Sequence, residues 1–244
     1  MTVAVLICTN PLPYKAEAVQ SRVGPGSRLS GSNSNYGKPA DLLIPVQTLL
    51  CRNDRMAGMT ENVSPDASIL ERAKKIKLFL MDVDGTLTDG GVCLISLPNG
   101  GGIAEMKVFN SLDGAGLKLA HIMGIQTGFI TGRKSPAVEQ RAHELSVDFV
   151  YLGQAKKTTA FEECMQKAGV TEDEVAYMGD DLPDMPLARR AGLGVAVANA
   201  AAELKAICHY VTRSRGNEGA AREVVELILK AQGRWEEAVP LAIA

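Results

Sequence analysis

The chain lacks the features that mark several large functional classes. Its five cysteines, at positions 8, 51, 93, 164 and 208, form no C-x-x-C pair and no zinc-ligand spacing. That excludes a zinc module, and an odd number of scattered thiols suits a reducing compartment without disulfides. Charge of one sign is missing too. Lysine and arginine total 26 against 28 acids, for a net charge of −2 and a pI near 6.0. With the cations scattered, the chain carries no electrostatic footprint for a nucleic-acid partner. No apolar run reaches membrane-spanning length, and the opening MTVAVLICTN has neither the basic start nor the apolar length of a signal peptide. We therefore expect no membrane insertion and a cytoplasmic protein. Histidine is scarce, and His121, His143 and His209 read as packing or surface residues.

What is present is a composition close to the globular average, 46% hydrophobic and 22% charged, which is enough for a buried core. The first part of the chain, 1–67, has no sustained period, and the Gly/Ser/Asn/Pro-rich stretch 24–39 cannot bury enough apolar surface to offset chain entropy. It reads as a disordered extension, with Met56 and Met59 as alternative starts. A folded domain is expected over 68–235 and a mobile tail over 236–244.

From Ser68 onward the pattern alternates. Apolar runs at Ile76 to Val83, Gln126 to Ile130, Phe149 to Leu152, Val175 to Met178 and Gly194 to Ala198 predict five strands. Helix-length amphipathic stretches separate them, at roughly Asp113 to Met123, Pro136 to Leu145, Thr158 to Lys167, Pro183 to Ala191 and Glu218 to Gln232. The fold class is α/β, with a parallel Rossmann-like sheet. One segment departs from the rhythm: 90–110 predicts two short strands around a turn at Pro98 to Gly102, a projecting β-hairpin. Its apolar residues Val92, Leu94, Ile103, Met106 and Val108 need cover that a lone hairpin lacks, so a second subunit is expected to pack there.

The most informative stretch is DVDGTLTDG, Asp82 to Gly90, directly after the first apolar run. A buried strand that ends in two carboxylates one residue apart delivers acids to the sheet edge where open α/β folds keep their ligands. On an extended chain the two side chains point oppositely, so both reach one site only if the chain turns at Gly85. A calcium loop is excluded, because Leu87 and Cys93 stand where an EF-hand needs Gly and Glu. The other predicted strands end in Thr131-Gly132-Arg133, in Lys156-Lys157 at a helix start, and in Gly179-Asp180-Asp181 followed by Asp184. Carboxylates suit Mg²⁺, while hydroxyl and cationic donors suit phosphoryl oxygens, so the chemistry suggested is phosphoryl transfer.

Asp82-Val83-Asp84-Gly85-Thr86, Thr131-Gly132, a downstream lysine and Gly179-Asp180-Asp181-Leu182-Pro183-Asp184 resemble the four ordered motifs of the haloacid dehalogenase superfamily, over about Lys74 to Gln232. Within it, FITGRKS, VYLGQAKK, AYMGDDLPD and GAAREVVELILKAQG resemble the family of 3-deoxy-D-manno-octulosonate 8-phosphate phosphatases, which implies a place in lipopolysaccharide biosynthesis. The resemblance implies a capless fold, which agrees with the 46 residues that separate Asp84 from Thr131. It also implies a homotetramer joined through the hairpins, and a sugar acid phosphate as substrate. Asp82 is then the nucleophile and Asp84 the acid and base. Asp82, Asp180 and the Asp84 carbonyl hold Mg²⁺, with Asp181 and Asp184 near them. Thr131 and Lys157, rather than Lys156, bind the transferring phosphoryl group. Gly132, Arg133, Lys134, Lys107 and Asn110 are the candidates for contacting the rest of the substrate.

Several departures from the family's pattern bear on the substrate. The hairpin tip SLPNGGG is long, Leu112 stands where some relatives have a basic residue, and Glu218 stands where many relatives have an arginine. A nine-carbon keto-deoxy acid phosphate and a broader range of sugar phosphates are the alternatives within the same chemistry. A non-catalytic phospho-acceptor module is the alternative of another class. It fits less well, because such modules carry the acid pair after the first strand and the acceptor Asp on a later one.

Overall fold

The computed structural model describes residues 66–98 and 101–242. The expected extension, apart from its last two residues, and the alternative starts Met56 and Met59 lie outside the described residues. The described chain opens with α1 (Ala67–Ala73), capped by Asp66, whose carboxylate accepts from the Ser68 N–H. There follow β1 (Leu78–Met81), β2 (Cys93–Ser96), β3 (Ile103–Met106), α2 (Ser111–Ile122), β4 (Gln126–Ile130), α3 (Pro136–Glu144), β5 (Phe149–Tyr151) and α4 (Lys157–Ala168). The chain continues through β6 (Val175–Gly179), α5 (Met185–Arg190), β7 (Leu193–Ala196), α6 (Ala202–Lys205), β8 (Tyr210–Val211), α7 (Ala220–Ala231) and α8 (Trp235–Leu241).

Six strands form one parallel sheet in the order β5-β4-β1-β6-β7-β8. The chain leaves β1 in one direction, returns to its other flank and continues outward, so the topological switch lies at β1, where such folds bind ligands. Every residue of β1, β6 and β7 is buried. Successive strand side chains face opposite ways, so helices must cover both faces, and the continuous apolar runs in the sequence follow from this. α2 packs on α7, with α1 and α8 beside them, while α4 packs on α5. At the α2–α7 crossing, a Cβ on Gly116 would lie 2.7 Å from Arg222 Cα, so only glycine permits that approach. Among the described residues no helix is long and apolar enough to cross a membrane.

The expected hairpin is present as the antiparallel pair β2–β3. Val92, Leu94, Ile95, Leu97 and Ile103 on it are all exposed, Ile103 to 65%. Four expectations need correction. The sheet has a sixth strand, β8, too short to read from periodicity. The expected mobile tail is helical: beyond Gly233, Trp235 packs under the Arg222 guanidinium and the Lys230 ammonium, 5.6 and 4.8 Å from its ring, and Ala238 is fully buried. The helix expected from Glu218 starts at Ala220, because Asn217 and Gly219 have φ of 63° and 96°, incompatible with a right-handed turn. The helix expected from Pro183 starts at Met185, because Leu182–Asp184 closes a 3₁₀ turn with Asp181 and Asp184 capping each other.

Candidate active site

Met81 stands level with Phe129 on one side and Met178 on the other, so the residues leaving β1, β4 and β6 emerge side by side. Directly after β1 the Val83 carbonyl accepts from the N–H groups of Thr86, Leu87 and Thr88 at 2.9–3.2 Å. Gly85 takes φ 93°, and a Cβ there would overlap the Asp180 carboxylate. This tight turn brings Asp82 and Asp84 to one open cleft of about 260 Å³, lined also by Thr131, Gly132, Arg133, Gln154, Lys157, Asp180, Asp181 and Asp184. A larger hollow of about 460 Å³ at the opposite end of the strands is lined by Lys74, Lys75, Lys77, Glu174 and Arg234. Chemistry rather than size identifies the site, and only the smaller cleft gathers converging acids.

Asp82, Asp180 and Asp184 each offer a carboxylate oxygen within 4.8 Å of the others. Lys157, at the first position of α4 and buried, places Nζ 2.7 Å from both Asp82 Oδ1 and Asp184 Oδ1. Asp184 is held on all sides: Oδ1 also accepts from the Tyr177 hydroxyl at 2.7 Å, and Oδ2 accepts from the N–H groups of Asp180 and Asp181 at 3.0 and 3.2 Å. Asp180 Oδ1 accepts from Thr86 Oγ1 at 3.2 Å. Burial pushes Asp82 up to about 6, against the pull of Lys157 and with the push of Asp184. Burial, reinforced by Asp82 and Asp184, pushes Asp180 up to about 7. For Lys157 burial works against the charge, yet the two carboxylates hold it above its ordinary value.

Two carboxylates about 4 Å apart repel by roughly 4 kcal/mol at an effective dielectric of 20, and one lysine cannot balance three acids. An all-oxygen donor set of converging, partly desolvated carboxylates fits a hard divalent cation such as Mg²⁺. Asp82 and Asp180 have oxygens to offer it, whereas both oxygens of Asp184 are already committed.

Across the cleft, Asp84 Oδ1 accepts from the Lys107 ammonium, and Asp84 Oδ2 lies 3.4 Å from Thr131 Oγ1. Arg133 donates to Glu105 of β3 at 2.9 Å, and Lys107 Nζ lies 3.7 Å from the same Glu105 oxygen. Of the expected substrate contacts, Thr131, Gly132 and Arg133 line the cleft. Three do not. Lys134 packs along Gly153, Lys107 is buried between Asp84 and Glu105, and Asn110 caps α2 through Leu112 N–H while donating to the Asn217 carbonyl at 2.8 Å. Thr86 stands in the first motif but has no expected role, and Gln154, the hydroxyl of Tyr177 and Asn199 have none either. Asn199 spans the Gly85 carbonyl (3.4 Å) and the Gly216 N–H (2.7 Å), tying a late loop to the DxD turn.

Comparison with known proteins agrees with this geometry. Residues 149–224 match the family of haloacid dehalogenase-like hydrolases. The chain is 43% identical over 172 residues to the 3-deoxy-D-manno-octulosonate 8-phosphate phosphatase KdsC of Escherichia coli K12, which covers 70% of this chain and 89% of that protein. The Moraxella catarrhalis phosphatase of that name, solved with magnesium, phosphate and KDO, superposes with a TM-score of 0.66 at 42% identity over 71% of this chain and 97% of its own. The cobalt-bound Haemophilus influenzae enzyme gives 0.62 at 36% identity over 69% and 99%. The chain belongs to the haloacid dehalogenase-like hydrolases, in the family of the 3-deoxy-D-manno-octulosonate 8-phosphate phosphatases.

Proposed function

We propose that the protein hydrolyses 3-deoxy-D-manno-octulosonate 8-phosphate to the free sugar acid and inorganic phosphate. The observation that carries this reading is the meeting of Asp82, Asp180 and Asp184 beside Lys157, with Asp84 and Thr131 facing them across the same cleft. A carboxylate oxygen of Asp82 attacks phosphorus and the ester P–O bond breaks, leaving an aspartyl phosphate, while the departing alkoxide takes a proton from Asp84. Water then attacks phosphorus, Asp84 takes a proton from it, and phosphate leaves with Asp82 restored. Thr131 donates to a phosphoryl oxygen, and Lys157 offsets the charge that develops there. Asp82, Asp180 and the Asp84 carbonyl would hold Mg²⁺, which supplies the positive charge that lets a carboxylate approach a phosphate dianion.

Gly132 and Arg133, at the rim of the cleft, are suited to the sugar acid's carboxylate and hydroxyls. The exposed apolar hairpin supports assembly into a homotetramer. On this reading the reaction belongs to lipopolysaccharide biosynthesis, and the protein is expected to act in the cytoplasm. The test is a phosphate-release screen with and without Mg²⁺, over the eight-carbon acid phosphate, its nine-carbon relative and ordinary hexose phosphates, with Asp82→Asn as control. A preference of about tenfold or more for the eight-carbon acid, equivalent to about 1.4 kcal/mol, is expected. Equal rates would leave only a general sugar phosphatase.

A further inference from the structure

Each acid of the DxD pair has its own buried lysine. Asp82 has Lys157 from α4, and Asp84 has Lys107, the first residue past β3 on the projecting hairpin. The Lys107 side chain is only 2% exposed and does not line the cleft. A buried ammonium is stable only with charged or polar partners, and Asp84 and Glu105 supply them. So confined, Lys107 is not available to a substrate carboxylate. Its contact also divides the two oxygens of Asp84. Oδ1 is committed to Lys107, and Oδ2 faces Thr131, which borders the cleft.

Resting on the phosphatase reading above, we propose that Lys107 is a positioning residue for Asp84. By fixing Oδ1 it makes Oδ2 the oxygen that hands a proton to the departing alkoxide and later takes one from the attacking water. Lys107 takes no part in the transfer; the proton moves only between Asp84 Oδ2 and the oxygen of alcohol or water. The role therefore matters where the leaving group needs a proton and little where it does not.

The test compares kcat/KM, which reports the steps up to leaving-group departure, on two substrates with Mg²⁺ present. One is the eight-carbon sugar acid phosphate, which must leave as an alcohol. The other is p-nitrophenyl phosphate, whose phenolate leaves unprotonated. Lys107→Met is expected to lose about a hundredfold on the sugar phosphate, the cost of a misplaced general acid, and less than about fivefold on the aryl phosphate. Asp84→Asn should show the same asymmetry, and adding Lys107→Met to it should change little, because the two residues act as a unit. An equal loss on both substrates, a rise in KM alone, or full additivity with Asp84→Asn overturns the proposal. If loss of the near-ultraviolet dichroism shows Lys107→Met to be unfolded, Lys107→Gln serves for the same ratio and is expected to lie between wild type and Asp84→Asn. Wild-type protein inactive on both substrates sinks the phosphatase reading, and this proposal with it. Wild-type activity with an unaltered ratio in the variants sinks the role of Lys107 alone.

Discussion

At the scale of single residues, the two adjacent lysines at the start of α4 have opposite surroundings. Lys156 is exposed, whereas Lys157 is buried with Nζ 2.7 Å from two carboxylates. Lys157→Ala is expected to lower turnover by about a hundredfold or more, and Lys156→Ala to leave it nearly unchanged, as a phosphate-release assay will read. The same Lys157→Ala change strands clustered carboxylates without their cation, so the metal-free protein should lose on the order of 3 kcal/mol in urea unfolding. The convergence of Asp82, Asp84, Thr131, Asp180 and the pair Lys156-Lys157 was legible in the sequence because each follows an apolar run or opens a helix, and the ends of parallel strands meet; the choice of Lys157 within the pair came from the family resemblance. The embrace of Asp184 was not. Its place depends on the 3₁₀ turn at Leu182–Asp184, which swings the carboxylate back against β6, where Tyr177 reads simply as core. Lys107 was legible as a residue near the site but not in its role, because spacing cannot tell which anion a buried ammonium meets.

At the scale of elements, two contacts decide how the helices hold the site. Gly116→Ala would gain about 1 kcal/mol of helix propensity, but its Cβ would meet the Arg222 backbone at 2.7 Å and force α2 off α7. Overpacking of that kind costs about 1–3 kcal/mol, so a net loss of stability is expected, visible as a lower Tm. Glu223 of α7 accepts from the Tyr210 hydroxyl at 2.6 Å and from the Arg213 and Ser214 N–H groups at 2.9 and 3.0 Å. Burial works against its charge, yet these donors hold it below the ordinary carboxylate value. A depressed folded value means that this stabilisation is complete above the unfolded pKa of about 4.3 and is lost as pH falls through the folded one. The stability gap between wild type and Glu223→Gln, about 2 kcal/mol near neutrality, should therefore stay level from pH 7 to about 5 and close below that. A gap that widens on acidification would contradict this sign. The central helices and strands were legible within a residue or two because period and caps agree. α1, β8, α6 and α8 were missed because they are short and owe their form to packing against the rest.

At the scale of the whole molecule, the hairpin leaves apolar residues in water that nothing among the described residues covers. Replacing Leu94 and Ile103 together by Glu is expected to shift the protein to smaller species in sedimentation while leaving the Tm of the core nearly unchanged; an unaltered assembly would place the interface elsewhere. The parallel sheet and the capless insert were legible from the alternation of runs and the short gap after Asp84. The strand order was not, since periodicity carries no information on which strands become neighbours. That order has a consequence for synthesis. β1, wholly apolar and destined for the middle, gains β4 on one flank early, but its other flank stays unpaired until β6 emerges much later from the ribosome. Until then the nascent chain carries an open apolar edge, the kind of surface that invites self-association and chaperone capture. The strand that leads into Asp82 is thus also the one most in need of protection while the protein is being made.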